Sequence, residues 1–157
     1  MEISGKPTIH PFLFISGKTS GYLTWLILVL ALTGVLSLHQ SSGKLFDYIA
    51  FICLAAGAEL IIMSSFKLGR SMRIGLPTEQ TNLKTRGIYQ LSRNPLYIGA
   101  HLITLASVLY TLSWWVALLG IYSYYVYHLI ILGEERFLES RFGNEYLDYK
   151  SNVRRYL

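Results

Sequence analysis

The chain has 157 residues, 52% of them hydrophobic and only 15% charged, with a mean hydropathy of +0.39. That length suits one domain, 1–157, and that balance excludes a small water-soluble fold in favour of an integral membrane protein. The net charge of +5 comes from cations clustered beside apolar segments, and no nucleic-acid module is recognisable, so attraction to anionic lipid headgroups is expected and no nucleic-acid partner. Cys53 is the single cysteine, which excludes an intramolecular disulfide and any multi-cysteine zinc site; no metal is expected.

In chain order, the first apolar run covers about 22 to 38. It follows Lys6 and Lys18 as a signal peptide would, but no A-x-A-like cleavage site comes after it, so a retained helix is expected. The second run covers about 46 to 66, close to the roughly 20 residues that cross a bilayer. Glu59 is the only acidic residue well inside such a run. It follows Ala55-Ala56-Gly57-Ala58, whose small side chains permit close helix contact. Such a carboxylate is either functional, held by a structural hydrogen bond to His101 or His128, or a protonated acid.

The loop from 67 to 95 carries Lys67, Arg70, Arg73, Lys84, Arg86 and Arg93, which predicts that it and both termini face the cytoplasm. The third run, 96 to 133, is nearly twice as long as one crossing needs at about 1.5 Å rise per residue, so it should fold into a hairpin around Thr111 to Trp115. The fold expected is an all-α integral membrane protein with about four transmembrane helices. After Leu132 the charges alternate in sign while Leu138, Phe142, Tyr146, Tyr149 and Val153 recur at spacings of three and four. That pattern predicts a cytosolic amphipathic helix, or a helix pair bent at Gly143.

No two glycines stand two apart, so a G-x-G-x-x-G loop is absent, as are the Walker and H-E-x-x-H patterns. The informative stretch is Arg93-Asn94-Pro95-Leu96-Tyr97-Ile98-Gly99. Pro95 fixes its own φ and pushes Asn94 out of the α region, so the chain turns before a helix and leaves N–H groups free for a polar ligand. Glu134 and Glu135 stand where an apolar helix emerges, and a carboxylate there can pair with an ammonium or a sulfonium.

Thr85-Arg86-Gly87-Ile88-Tyr89, the 93–99 stretch and Glu134-Glu135-x-x-Leu138-x-x-x-Phe142-Gly143-x-x-Tyr146-x-x-Tyr149 together resemble the isoprenylcysteine carboxyl methyltransferase family. The related phospholipid N-methyltransferases share much of the pattern, and the similarity covers about 67 to 155. The resemblance implies a membrane enzyme that binds S-adenosylmethionine and methylates a lipid or lipid-anchored substrate, with isoprenylcysteine-type carboxyl O-methylation as the first expectation. It implies that Tyr89, Arg93, Asn94, Pro95, Tyr97, Gly99, Glu135, Tyr146 and Tyr149 form the cofactor pocket. The family more commonly has histidine where Asn94 stands, and some members have a basic side chain where Leu129 to Gly133 stand here.

A carboxylate acceptor would need no general base. An amine acceptor must lose a proton, and Glu134, Glu135 and His128 are the candidate catalytic groups for taking it. A phospholipid N-methyltransferase is the alternative, followed by a sterol-type reductase using NADPH and a non-catalytic lipid-binding scaffold.

Overall fold

The computed structural model describes residues 9–38, 44–68 and 83–157. Among them there are helices and no strand. They are α1 (Pro11–Leu32), α2 (Lys44–Leu68), a single 3-10 turn at Gly87–Gln90, α3 (Pro95–Thr111), α4 (Trp114–Phe142) and α5 (Asn144–Asn152). Arg70 and Arg73 lie outside the described residues.

Three helices, α1, α2 and α4, are long and apolar enough to cross a membrane, and α3 is a shorter apolar helix of 17 residues. The chain is an integral membrane protein whose outer surface is apolar: Phe12, Val29, Ile52, Phe66 and Ile121 are all more than half exposed. The hairpin falls where the sequence places it. Leu112 takes a left-handed conformation (φ 44°), its N–H closes on the Val108 carbonyl at 2.8 Å, and α4 starts two residues on.

α1 begins well before residue 22 because its first half is polar inside the bundle. Gly17 and Gly21 let its backbone lie against Val126 and Ser123 of α4, and Ser20 Oγ donates to the Leu119 carbonyl at 2.8 Å. Small residues four apart permit that approach in a membrane, where packing and internal hydrogen bonds drive helix association. Trp25 Nε1 donates to Thr104 Oγ1 at 3.0 Å and Ser107 Oγ to the Thr24 carbonyl at 2.7 Å, which ties α1 to α3.

α2 packs on α3 along the line Ala50, Gly57 and Ser64, all buried. At its centre Gly57 meets Gly99, so closely that a Cβ on Gly57 would stand 2.8 Å from the Gly99 carbonyl oxygen. Glu59 is about 200° around the helix from Gly57 and is exposed. The alternative of a structural hydrogen bond to His101 or His128 is therefore not realised; His101 lies against Tyr124 and Tyr127, and His128 is bonded to Tyr156.

α4 does not stop at the end of its apolar run. It continues to Phe142, about two and a half turns beyond Gly133, and carries the glutamate pair as part of one continuous rod. The break comes at Gly143, whose φ of +51° favours glycine, and α5 turns back across the end of the bundle. Tyr146 is its buried anchor at 1% exposure.

Gly57→Ala must push α2 away from a carbonyl oxygen, whereas Gly120→Ala meets only the methyls of Thr104 and Val108. Thermal unfolding in detergent should show Gly57→Ala destabilised by about 2 kcal/mol, in the range of overpacking, and Gly120→Ala much less. Equal melting temperatures for the two variants would contradict the Gly57–Gly99 contact.

Candidate active site

The approach to α3 is a sequence of constrained turns. Gly87 (φ 71°) opens the 3-10 turn, Tyr89 is buried within it, and Pro95 begins α3 with Asn94 outside the helical region (φ −130°, ψ 48°). This loop is stitched to the end of the chain. Arg93 N–H donates to the Arg154 carbonyl at 3.0 Å, and Ser92 Oγ to the Arg155 carbonyl at 3.0 Å. Asn94 Nδ2 reaches the same carbonyl at 3.2 Å, and Tyr149 Oη donates to the Tyr89 carbonyl at 2.6 Å. Asn94 thus spends one amide donor on holding the terminal segment, a contact that histidine would not reproduce in the same way.

Glu135 joins the two halves electrostatically. Its carboxylate is 7% exposed and receives Arg155 through Nε at 3.1 Å and Nη2 at 2.8 Å, and Arg93 through Nη2 at 3.0 Å. A bidentate guanidinium and a second charge-assisted bond occupy most of its acceptor capacity. The Arg155 guanidinium is pushed further up from its ordinary value, first by the hydrogen bonds to Glu135.

Glu134, one residue earlier on α4, faces a different group. Its Oε1 accepts Tyr97 Oη at 2.7 Å, and it feels the charge of Lys18, whose ammonium lies 4.4 Å from the centre of the Phe14 ring. Tyr97 in turn packs against Tyr127 with ring centres 5.7 Å apart, and Tyr127 against His101. His128 is on the same helix, stacked on Tyr156 with Nδ1 2.8 Å from its hydroxyl.

Several buried donors in this region have no partner: Nε and Nη1 of Arg93 and the hydroxyl of Tyr146. An unmade hydrogen bond on a buried group costs about 1–3 kcal/mol, so a cluster of them marks a place where a polar ligand compensates. Burial pushes the Tyr146 hydroxyl up to about 12, with Glu135 adding to it, and likewise pushes Tyr149 up to about 12. Both remain O–H donors at neutral pH. The surroundings of Arg93 therefore hold two guanidinium groups, one carboxylate and spare donors, an excess of positive charge suited to an anion.

The structure brings Arg93, Asn94, Tyr97, Glu134, Glu135, Tyr146 and Tyr149 to one end of the bundle, where α3 begins and α4 emerges. Pro95 is buried as the first residue of α3, and Tyr89 contributes its carbonyl to Tyr149. Gly99 is turned to Gly57 of α2, so its observed contact is helix packing. Sequence reasoning missed Lys18, read only as a cation ahead of a helix, and Arg155 and Tyr156, which follow the motif. The only available signal for Arg155 was an unexplained arginine pair near the end. An apolar groove of about 400 Å³ between α1 and α4, lined by Phe12, Ile15, Leu23, Leu119 and Tyr122 among others, lies three turns from Glu134 and holds no acid–base pair.

A family model described as phospholipid methyltransferase matches residues 46–145. No curated protein and no solved structure gives a match.

Removing the Glu135 carboxylate leaves Arg93, at 8% exposure, as an uncompensated buried charge. Glu135→Ala should cost about 3–5 kcal/mol in unfolding experiments and expose the terminal segment to protease. Tyr149→Phe removes one hydrogen bond and should cost about 1 kcal/mol. A Glu135→Ala protein as stable as Tyr149→Phe would refute the bridging role.

Proposed function

The chain belongs to the phospholipid methyltransferase family, and we propose that it transfers a methyl group from S-adenosylmethionine to the headgroup amine of a membrane phospholipid. The observation that carries this reading is the set of unpartnered buried donors around Arg93 and Tyr146, in a cluster with surplus positive charge. The donor set fits the cofactor's carboxylate, which Arg93 and Tyr146 would hold while Glu135 and Arg155 keep Arg93 in place. When bound, the cofactor supplies an electrophilic methyl on a cationic sulfur. The tyrosine faces near Glu134 suit that cation, since aromatic rings attract cations through their π faces.

The acceptor is assigned from Glu134. A phosphoethanolamine amine arrives protonated, and a carboxylate held by Tyr97 would attract it, orient it and take its proton, freeing the nitrogen lone pair for the methyl that the bound cofactor would supply as its carbon–sulfur bond breaks and S-adenosylhomocysteine leaves. Glu135 is saturated by two arginines and is assigned to positioning. His128 is a reserve base, its ring already fixed by Tyr156. A carboxylate acceptor would meet repulsion from Glu134, and no basic side chain stands in Leu129 to Gly133 to offset it. The isoprenylcysteine carboxyl remains the second reading because the spare Arg93 donors would suit an acceptor carboxylate as well as a cofactor one.

In this reading α3 is the fourth crossing, since it runs beside α2 and is followed by a two-residue turn into α4. The 67 to 95 loop, α5 and both termini face the cytoplasm, where the loop's cations belong. Cysteines introduced at Lys84 and Ser151 should react with an impermeant reagent from the cytoplasmic side and one at Ser113 from the other. Labelling of Lys84→Cys and Ser113→Cys from one side would show that α3 does not cross.

Calorimetry of the detergent-purified protein should show binding of S-adenosylhomocysteine and no binding of NADPH. Tyr146→Phe and Arg93→Lys should each weaken that binding about tenfold, one lost hydrogen bond to a charged group. With labelled cofactor in vesicles, methyl incorporation into phosphatidylethanolamine is expected and should fall at least a hundredfold in Glu134→Gln, the scale of a lost general base. Incorporation into an isoprenylated cysteine analogue alone would favour the second reading, and NADPH binding alone would favour a reductase.

A further inference from the structure

Lys18 of α1 and Glu134 of α4 carry opposite charges and stand near one another without touching. Lys18 follows Gly17, the residue at which α1 lies against Val126 of α4. Its stem bends back toward the start of the helix, and the ammonium comes to rest 4.4 Å from the centre of the Phe14 ring. Phe14 packs on Val126, Tyr127 and Ile130, the cluster that Tyr97 also covers, and Glu134 is one turn beyond Ile130. The charge of Lys18 is felt at Glu134, yet no salt bridge closes between them. Among the described residues the ammonium has no hydrogen bond and no ion pair.

Lys18 stands about 10 Å along α1 from Pro11, a depth at which a long basic side chain runs its stem over apolar surface and returns its head to the headgroup layer. Here the head returns in view of the one carboxylate that is not already saturated. Glu134 has one oxygen bonded to Tyr97 at 2.7 Å, and among the described residues its other oxygen accepts no hydrogen bond. Tyr22, one turn after Lys18, is half exposed and acts electrostatically on both Tyr97 and Tyr127. The same few residues thus bring a free cation from α1 and a half-used carboxylate from α4 to one place, with aromatic rings between them.

We propose that Lys18 binds the phosphodiester of the lipid whose amine Glu134 receives, so that α1 and α4 together read one zwitterionic headgroup. This assignment rests on the headgroup-amine reading given above. In phosphoethanolamine two carbons join the ammonium to the phosphate. With the ammonium on Glu134, the phosphate at the other end meets the Lys18 ammonium in a charge-assisted hydrogen bond. An amine without phosphate leaves Lys18 unpaired and repelled by the incoming cation, while an anionic headgroup without an amine does the same to Glu134. A charge pair held apart therefore selects a ligand that carries both charges in the opposite order. Methyl transfer leaves the phosphate unaltered, so Lys18 contributes to acceptor binding and not to the chemical step.

The full-length protein in mixed micelles of detergent and lipid, supplied with labelled S-adenosylmethionine, tests this. Lys18→Gln should raise KM for phosphatidylethanolamine about tenfold, the scale of one charged hydrogen bond, with kcat little changed, and Lys18→Arg should keep most of the parent's affinity. A long-chain alkylamine, which lacks the phosphate, should be a poorer acceptor for the parent and should lose nothing in Lys18→Gln, so the preference for the phospholipid shrinks about tenfold. Independently of turnover, short-chain phosphatidylethanolamine should raise the melting temperature of the parent and of Lys18→Arg more than that of Lys18→Gln, and the melts without lipid show that each variant is folded. An unchanged KM for phosphatidylethanolamine in Lys18→Gln, or an equal loss for the alkylamine, overturns the phosphate assignment and leaves methyl transfer to the amine standing. Lipid binding that depends on Lys18 in a protein that methylates no amine supports the phosphate site and overturns the reaction instead. A defect of Lys18→Gln confined to an isoprenylated cysteine analogue gives the lysine to an acceptor carboxylate and overturns the proposal.

Discussion

The site depends on one carboxylate. Glu135 is carried out of the membrane on α4, and two guanidinium groups from distant parts of the sequence converge on it: Arg93 from the loop before α3 and Arg155 from the segment after α5. Desolvating three charges is unfavourable unless their geometry is good, and here the bidentate contact of Arg155 and the backbone bonds around Ser92 and Asn94 supply it. The contribution is better understood as specification than as net stability. With Glu135 in place only one arrangement of loop, helix end and terminal segment satisfies all three charges.

That arrangement divides the region into two electrical halves. Around Arg93 the charge is positive and donors remain unused; around Glu134 a carboxylate faces Tyr97 and Tyr127 as aromatic neighbours, with the Lys18 ammonium offsetting part of its charge. Glu134 and Glu135 are adjacent in sequence, but successive residues on a helix point about 100° apart, so one serves each half. A ligand with a carboxylate at one end and a cationic centre some distance away matches this polarity in one orientation only. The tyrosines reinforce it, because burial keeps Tyr146 and Tyr149 as neutral donors instead of phenolates that would cancel the positive half.

Much of this was legible in the sequence, for identifiable reasons. Hydropathy located α2 and the α3–α4 hairpin because their lengths are set by the bilayer, and glycine chemistry located the break at Gly143. The family pattern pointed to the membrane methyltransferase group to which the matched family belongs, with an isoprenylcysteine carboxyl as the first expected acceptor, whereas the family that matches is the phospholipid one. The start of α1 was hidden, since Gly17, Ser20 and Gly21 fall outside the apolar run and are in fact the face that α4 needs. Gly99 read as a pocket residue because it stands beside Arg93 in the motif, yet a glycine can also be required by another glycine across a helix crossing. Lys18 carries no local signal, because Glu134 lies more than a hundred residues further along the chain, and Arg155 meets Glu135 only because the chain turns back at Gly143; pairwise proximity of that kind is a property of the fold.

The position of the site follows from how the bundle is held together. Inside the membrane the helices cohere through glycine contacts and a few internal hydrogen bonds, such as Trp25 to Thr104 and Ser107 to Thr24, which leave no room for charge. Ion pairing becomes affordable only where α4 emerges and the closing segment can fold back over it. A lipid headgroup travels in that same layer while its chains stay in hydrocarbon. In the proposed reaction, the physics that confines buried charge to the end of the bundle would also bring a lipid-borne acceptor to Glu134, whose carboxylate Tyr97 holds from the start of α3.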